Sequence, residues 1–500
     1  MPALSLSEAH PVWSIAEVVR EVMEQNADSA KTLASCARVS HAFSEPALEV
    51  LWRELVGLDR LLSILRKSVV RTHMPLEDLP DMRIKRYIIS APIDDKEWTR
   101  FQYYANFVRS YTTDSERMDG IFTATLLDKS EGKPLLPRLT FFKWAKQDEF
   151  SSAFLLFLSP MLRFVHLNFF SYGGSTPVGS QPLPEDLTTA AALRLVHGRA
   201  PALDTLQIQA CHICSLDPVP GFAHLRSLQI TQSKDPRIWE KIAGSLPALQ
   251  SLTVYMTTQS LDEDILRAKR LPEARFGQLT QLEFMADARM VPIVLDLLHA
   301  PCLRHLHLQM ELKDHLCVRA CEIVASRFAQ SLRSFELELD DDYDDTSPRE
   351  FGALFSPLYA LRELVDVQLA IRFDTEIVVT VDDIARMAEA WPNVQHLKLP
   401  FTAYPEDEPE VPRMPITALE TFARRCPKLE GLVMLIPDPW PLADLDLATV
   451  PSYSNRLSRL HLVSGGWPQD MVEKGKLYFK HLFPNAKIWF DVDLGVHDND

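Results

Sequence analysis

Cysteine, glycine and positive charge are all in short supply. The 500 residues hold seven Cys and sixteen Gly, and 52 Lys+Arg stand against 68 Asp+Glu, a formal charge of −16. Sparse, scattered cysteines make no disulfide framework and suit a reducing compartment. The thin glycine supply contains no phosphate-cradling loop: its densest run, Gly173–Gly179, does not sit between a strand and a helix. The acidic balance argues against nucleic acid, which rewards a basic surface, and is what a solvated acidic exterior produces. Neither G-x-S-x-G nor H-E-x-x-H occurs, which removes the common hydrolase and zinc-protease signatures. No catalytic residue and no cofactor is expected. Long apolar runs are missing too. The most apolar stretch, Phe154–Phe170, is broken by Pro160, Arg163 and His166, and the first residues carry no secretory leader pattern. Cytosol or nucleus is the expected compartment, and no membrane partner is expected.

What is present is a repeated phrase. In Ala300–Gln309, Leu303, Leu306 and Leu308 follow the spacing L-x-x-L-x-L. In a strand, Leu306 and Leu308 share one face and His305 and His307 the other. The phrase returns around Leu203, Leu225, Leu249, Leu279, Val394, Leu429 and Leu457, with weaker copies near Leu162 and Leu332. Most intervals between successive copies from Leu162 to Leu332 are 22 to 30 residues. That period belongs to leucine-rich repeats, in which each unit has one apolar edge and buries it only by stacking on neighbours. Helical faces lie between the strands: Ile384, Met387, Ala388 and Trp391 fall at i, i+3, i+4 and i+7. The expected fold class is therefore an α/β leucine-rich-repeat solenoid, with a curved parallel sheet inside and helices outside. The array spans residues 136–492, opening with Leu139, Phe142 and Trp144. Residues 54–135 are a connecting segment with room for a degenerate first repeat, and 493–500 form a frayed acidic tail.

Residues 10–53 lack the repeat. Val12, Ile15, Val18, Val19, Val22 and Met23 make one helical face. Asn26–Asp28 then offers a stop and Ser29 a cap, and two further short helices follow, the last with Pro46 near its first turn. Within them, A-x-C-A-x-V-S-x-A-F (Ala34–Phe43) and P-A-L-x-x-L-W-R (Pro46–Arg53) resemble the F-box of fungal F-box/leucine-rich-repeat proteins. The segment departs from that family in opening on His10-Pro11 rather than Leu-Pro, and in having Phe43 where Trp is common. The resemblance implies a substrate-recognition subunit of a Skp–cullin–F-box ubiquitin ligase. The bundle would dock on the Skp-type adaptor of the cullin–RING ligase, with Pro11, Val12, Ile15, Val18, Leu33, Val39 and Trp52 supplying or supporting the contact. The alternative is a scaffold in which the bundle only caps the repeat array.

A solenoid binds through its concave face. The residues between the inward leucines are the candidates for holding a protein target: Gln207, Gln229, Thr253, Tyr255, Glu283, His305, His307, Gln309, Glu336, Lys398, Arg459 and His461. Metal signals are thin. Cys211 and Cys214 have a zinc-like spacing without a second ligand pair nearby, and His305 and His307, on one strand face, are a pair able to chelate a metal but read more plainly as water-facing side chains. Asp340–Asp345 fails as a calcium loop, because Asp345 and Phe351 stand where Gly and Glu are required. That run and Glu406–Glu408 read as solvated loops, or as a landing site for a basic partner.

Overall fold

The structure, a computed structural model, describes residues 16–75, 83–113, 116–144, 152–168, 184–209, 216–233, 239, 242–256, 273–340, 349–372, 377–399, 415–436, 442, 450–453, 456–464 and 467–491. The chain forms two compact units, Met1–Asp235 and Pro236–Asp500.

The described part of the first unit starts with three helices, α1 (Ala16–Glu24), α2 (Ala30–Cys36) and α3 (His41–Trp52). Ser29 caps α2, its hydroxyl accepting the Thr32 N–H at 3.3 Å. Pro46 lies inside α3, in the turn after its first, because the helix starts at His41. Val19, Met23, Leu33 and Ala47 form the buried core of the bundle. So small a core leaves little stability in hand. Arg53, just past α3, grips Glu24 with both guanidinium nitrogens, one at 2.8 Å, and so ties the end of α3 to the end of α1.

Among the described residues, six parallel strands of the main sheet follow in chain order: Glu54–Val56, Ser110–Thr112, Phe141–Trp144, Phe164–Asn168, Thr205–Gln209 and Ser227–Ser233. Their registers align one buried side chain per strand, Leu55, Tyr111, Phe142, Val165, Leu206 and Leu228. Among the described residues the parallel stack begins at Glu54, inside the connecting segment that had room for a degenerate first repeat. Its first two strands are three residues long and present a single inward residue each, too little to spell the repeat phrase. A separate small sheet has Arg83–Ile89 in its middle, antiparallel to Val69–Pro75 on one side and parallel to Glu116–Met118 on the other. There Asp59 accepts bonds from Lys85, Arg71 and Tyr87, each at 3.0 Å. Burial works to raise the Asp59 carboxyl, but these three donors outweigh it and hold it below its ordinary value.

Among the described residues, the second unit contributes nine parallel strands to the main sheet, from Ser251–Met256 through Gln281–Met285, His305–Glu311, Ser334–Asp340, Asp366–Arg372, His396–Leu399, Gly431–Ile436 and Arg459–Ser464 to Lys487–Asp491. Leu252, Leu282, Leu306, Phe335, Val367, Leu397, Leu432, Leu460 and Ile488 stand opposite one another across the whole run. All but Ile488 are buried. Helices on the return path cover this face. In Val381–Ala390 the predicted face is the buried one, with Ile384, Met387 and Ala388 inside and Trp391 just beyond. Thr380 and Asp383 close a reciprocal capping box at its start. The backbone repeats as faithfully. One carbonyl ahead of each strand accepts two successive N–H groups from the next turn: Arg333 O from Val365 and Asp366, Val365 O from Gln395 and His396, Gln395 O from Glu430 and Gly431. Both units are thus leucine-rich-repeat stacks. No helix among the described residues is long and apolar enough to cross a membrane.

Leu306 is 1% exposed and His305, its neighbour, points the other way into solvent. Leu306→Asp should cost several kcal/mol in a urea titration, by burying an unpaired carboxylate. His305→Ser should stay within about 0.5 kcal/mol. The Arg53 hydrogen bond holds the Glu24 carboxyl below its ordinary value of 4.5. Its stabilisation is complete above that pH and is lost as pH falls through the lower folded-state value. The pair is largely solvated, so about 0.5 kcal/mol is expected. Glu24→Gln should flatten that part of the acid limb of bundle stability, followed by circular dichroism.

Candidate functional site

Strand geometry sends alternate side chains away from the helices, onto an open sheet face. Adjacent strands lie about 4.8 Å apart, so each open-face side chain meets its register partner. In the first unit one such row is Lys143, His166, Gln207 and Gln229. His166 Nδ1 and Gln207 Oε1 are 2.9 Å apart. Burial pushes the His166 imidazole below its ordinary value, with Lys143 adding to the effect and Gln207 opposing it.

The second unit has a longer row: Thr253, Glu283, His307, Glu336, Gln368, Lys398, Val433, His461 and Trp489. It divides into two chemistries. The first is acidic and centred on His307. Its Nδ1 lies 3.7 Å from Glu283 and its Nε2 3.9 Å from Glu338. Tyr255 and Thr253 both donate to Glu283, the threonine at 3.2 Å, and Gln368 donates to Glu336. Burial, then the bond to Glu283, raises the Tyr255 phenol well above its usual range. Gln309, on the same face, donates to Asp340 at 3.0 Å.

The second chemistry is a groove of about 650 Å³ running from Ser334 and Glu336 to Trp489. Asp366 and His396 form one wall, joined at 2.6 Å. Lys398, Arg459 and His461 line the rest, and the Lys487 ammonium sits 4.9 Å from the centre of the Trp489 ring. Gly431 lies where every register neighbour carries a long side chain. A Cβ there would come within 3.1 Å of His396 Cδ2, so only Gly keeps this part of the floor open without displacing the imidazole.

The structure thus brings Thr253, Tyr255, Glu283, His307 and Glu336 together and places Lys398, Arg459 and His461 in the groove beside them. Gln207 and Gln229 belong to the first unit. One expectation is corrected. His305 is exposed, but His307 is half-buried among carboxylates rather than water-facing, because Glu283 and Glu336 flank it in register. Sequence reading missed Glu338, Asp366, Gln368, His396 and Trp489. Glu338 follows Glu336 by two and was legible as the same face. Asp366 and Gln368 lie in a repeat whose phrase reads Leu364-x-x-Val367-x-Leu369 and escapes a search for leucine.

In the bundle, Leu33 is buried in the core, Val18 is half-buried and Val39 is 70% exposed. Trp52 packs on Tyr104, ring centres 4.8 Å apart, with the Arg60 guanidinium 4.9 Å from its ring centre. Pro11, Val12, Ile15, Cys211, Cys214, Glu406–Glu408 and 341–345 lie outside the described residues.

No protein-family profile and no curated protein matches the chain. Solved structures do. An internalin from Listeria monocytogenes aligns at 13% identity over 98% of this chain and 93% of that one, with a TM-score of 0.30. A leucine-rich-repeat protein of Leptospira interrogans aligns at 14% over 72% and 73%, TM-score 0.33. The plant peptide hormone receptor RGFR1 in complex with RGF2 aligns at 10% over 78% and 69%, TM-score 0.24.

Glu336 and Glu338 share one face of a single strand, their nearest oxygens and the His307 ring within 4.8 Å of one another, and like charges so close repel. Glu336→Gln, which keeps the shape and an oxygen for Gln368, should therefore stabilise the chain by about 0.3–1 kcal/mol at neutral pH in chelator-containing buffer, measured by urea unfolding. A loss of stability would mean that the cluster is not electrostatically strained.

Proposed function

We propose that the chain is a target receptor of a Skp–cullin–F-box-type ubiquitin ligase, acting in the cytosol or nucleus. The groove beside Gly431 holds a protein target, and the N-terminal bundle docks on the Skp-type adaptor. The chain performs no chemistry of its own. It raises the effective concentration of target lysines at the ligase, which is a gain from tethering alone. The groove is the observation that carries target binding: its backbone is fixed by the sheet, and its Lys398, Arg459 and Trp489 side chains are at least partly open to a partner. Cationic and aromatic side chains of this kind anchor protein interfaces. The cationic end favours a target segment bearing carboxylates. Support for the adaptor role is the F-box resemblance together with Val39, a large apolar side chain left 70% exposed at the end of α2.

A second reading has its own observation. Trp52 spends its ring on Tyr104 and Arg60, which anchors the bundle to the segment that follows, as a cap would be anchored.

Gel filtration of the full chain with a purified Skp-type adaptor separates the two. The receptor reading expects a 1:1 complex that Val39→Asp weakens at least tenfold without changing the thermal melt. No complex at concentrations of tens of micromolar, with the melt intact, leaves the cap reading standing.

A further inference from the structure

We infer that the His307 cluster is a binding site for one divalent transition metal of the zinc type, with His307, Glu336 and Glu338 as its protein ligands. Donor atoms of these three residues already lie within 4.8 Å of one another. The placement follows from the sheet. Glu336 and Glu338 are two apart on one strand and so share a face, while His307 is the register partner of Glu336 on the next. Residues on paired strands are held far more rigidly than a loop would hold them.

A second observation separates this site from an ordinary acidic patch. His307 Nε2 is wholly enclosed and has no hydrogen-bond partner. Nδ1 faces Glu283. A tautomer with its proton on Nδ1 therefore turns the Nε2 lone pair toward Glu336 and Glu338. A carboxylate behind the non-ligating nitrogen is the usual support of a metal-binding imidazole. Here that support is itself braced, Glu283 by Tyr255 and Thr253, and Glu336 by Gln368. The two ligating carboxylates offset the charge of a divalent ion, and the neutral imidazole adds none. Mixed nitrogen and oxygen donors select zinc-like ions over calcium or magnesium, which take oxygen alone. Tetrahedral zinc at about 2.0–2.2 Å from each donor requires the three to close in, which small rotations of the glutamate side chains supply. The fourth position stays open on the sheet face beside the groove, since Glu336 lines both. The inference stands apart from the ligase reading and does not need it.

Equilibrium dialysis of the chelator-stripped full chain against zinc, with metal counted by mass spectrometry, is the test. One saturable zinc per chain is expected, and cobalt substitution should give the visible bands of a four-coordinate ion. Glu336→Gln and Glu338→Gln, both near-isosteric, should each weaken zinc at least a hundredfold. Glu283→Gln should weaken it ten- to a hundredfold, and His305→Ala should leave it unchanged. His307→Ala should abolish binding, with circular dichroism confirming that the variant is folded. Absence of saturable binding up to millimolar zinc, or binding that survives both glutamine variants, overturns the assignment.

Discussion

Each turn of this chain carries one apolar side chain at the same height as the one before it, and everything else depends on that alignment. In the second unit the ladder runs from Leu252 to Ile488 without a register slip. A single fully buried leucine contributes about 1.5–3 kcal/mol, yet no turn can bury its leucine without a neighbour. The paired N–H groups bonded to one carbonyl ahead of each strand hold the same register through the backbone. Side chains and main chain therefore impose one answer, which is the agreement between levels that makes a sequence foldable.

Because the period along a strand is two, fixing the inward residues fixes the outward ones as well. Nothing in the core dictates their identity, so chemistry collects there. Carboxylates gather around His307, while cations and an aromatic ring gather from Lys398 to Trp489, with Gly431 leaving room between them. Three acidic side chains around one imidazole repel one another, while Glu283 and Glu336 also accept hydrogen bonds from neighbouring strands.

The sequence disclosed the ladder wherever the rung was leucine and the strand was long. It did so for Leu306 and Leu432, and for the helix of Ile384 and Met387. It hid the ladder where the rung was Tyr111 in a three-residue strand or Val367 after Leu364, because a search for one residue type does not see that any large apolar side chain fills the same slot. The open face was legible as a list of positions but not as a site. Thr253, Glu283, His307 and Glu336 lie on four different strands, and only register shows that they are neighbours. The same limit made His305 and His307 look like a pair, although the partners of His307 lie across the sheet and not along its own strand. The helices of the bundle were readable from apolar spacing and from Ser29. What binds them is not written in that spacing.

The ladder itself is tested most directly by thermodynamic double-mutant cycles in urea. Leu306 and Phe335 occupy adjacent rungs, whereas Leu306 and Leu460 are five strands apart. Truncating Leu306 and Phe335 to alanine should show a coupling of about 0.5–3 kcal/mol, and Leu306 with Leu460 should be additive to within about 0.5 kcal/mol. Additivity for the adjacent pair, or equal coupling for both pairs, would contradict a stack built rung upon rung.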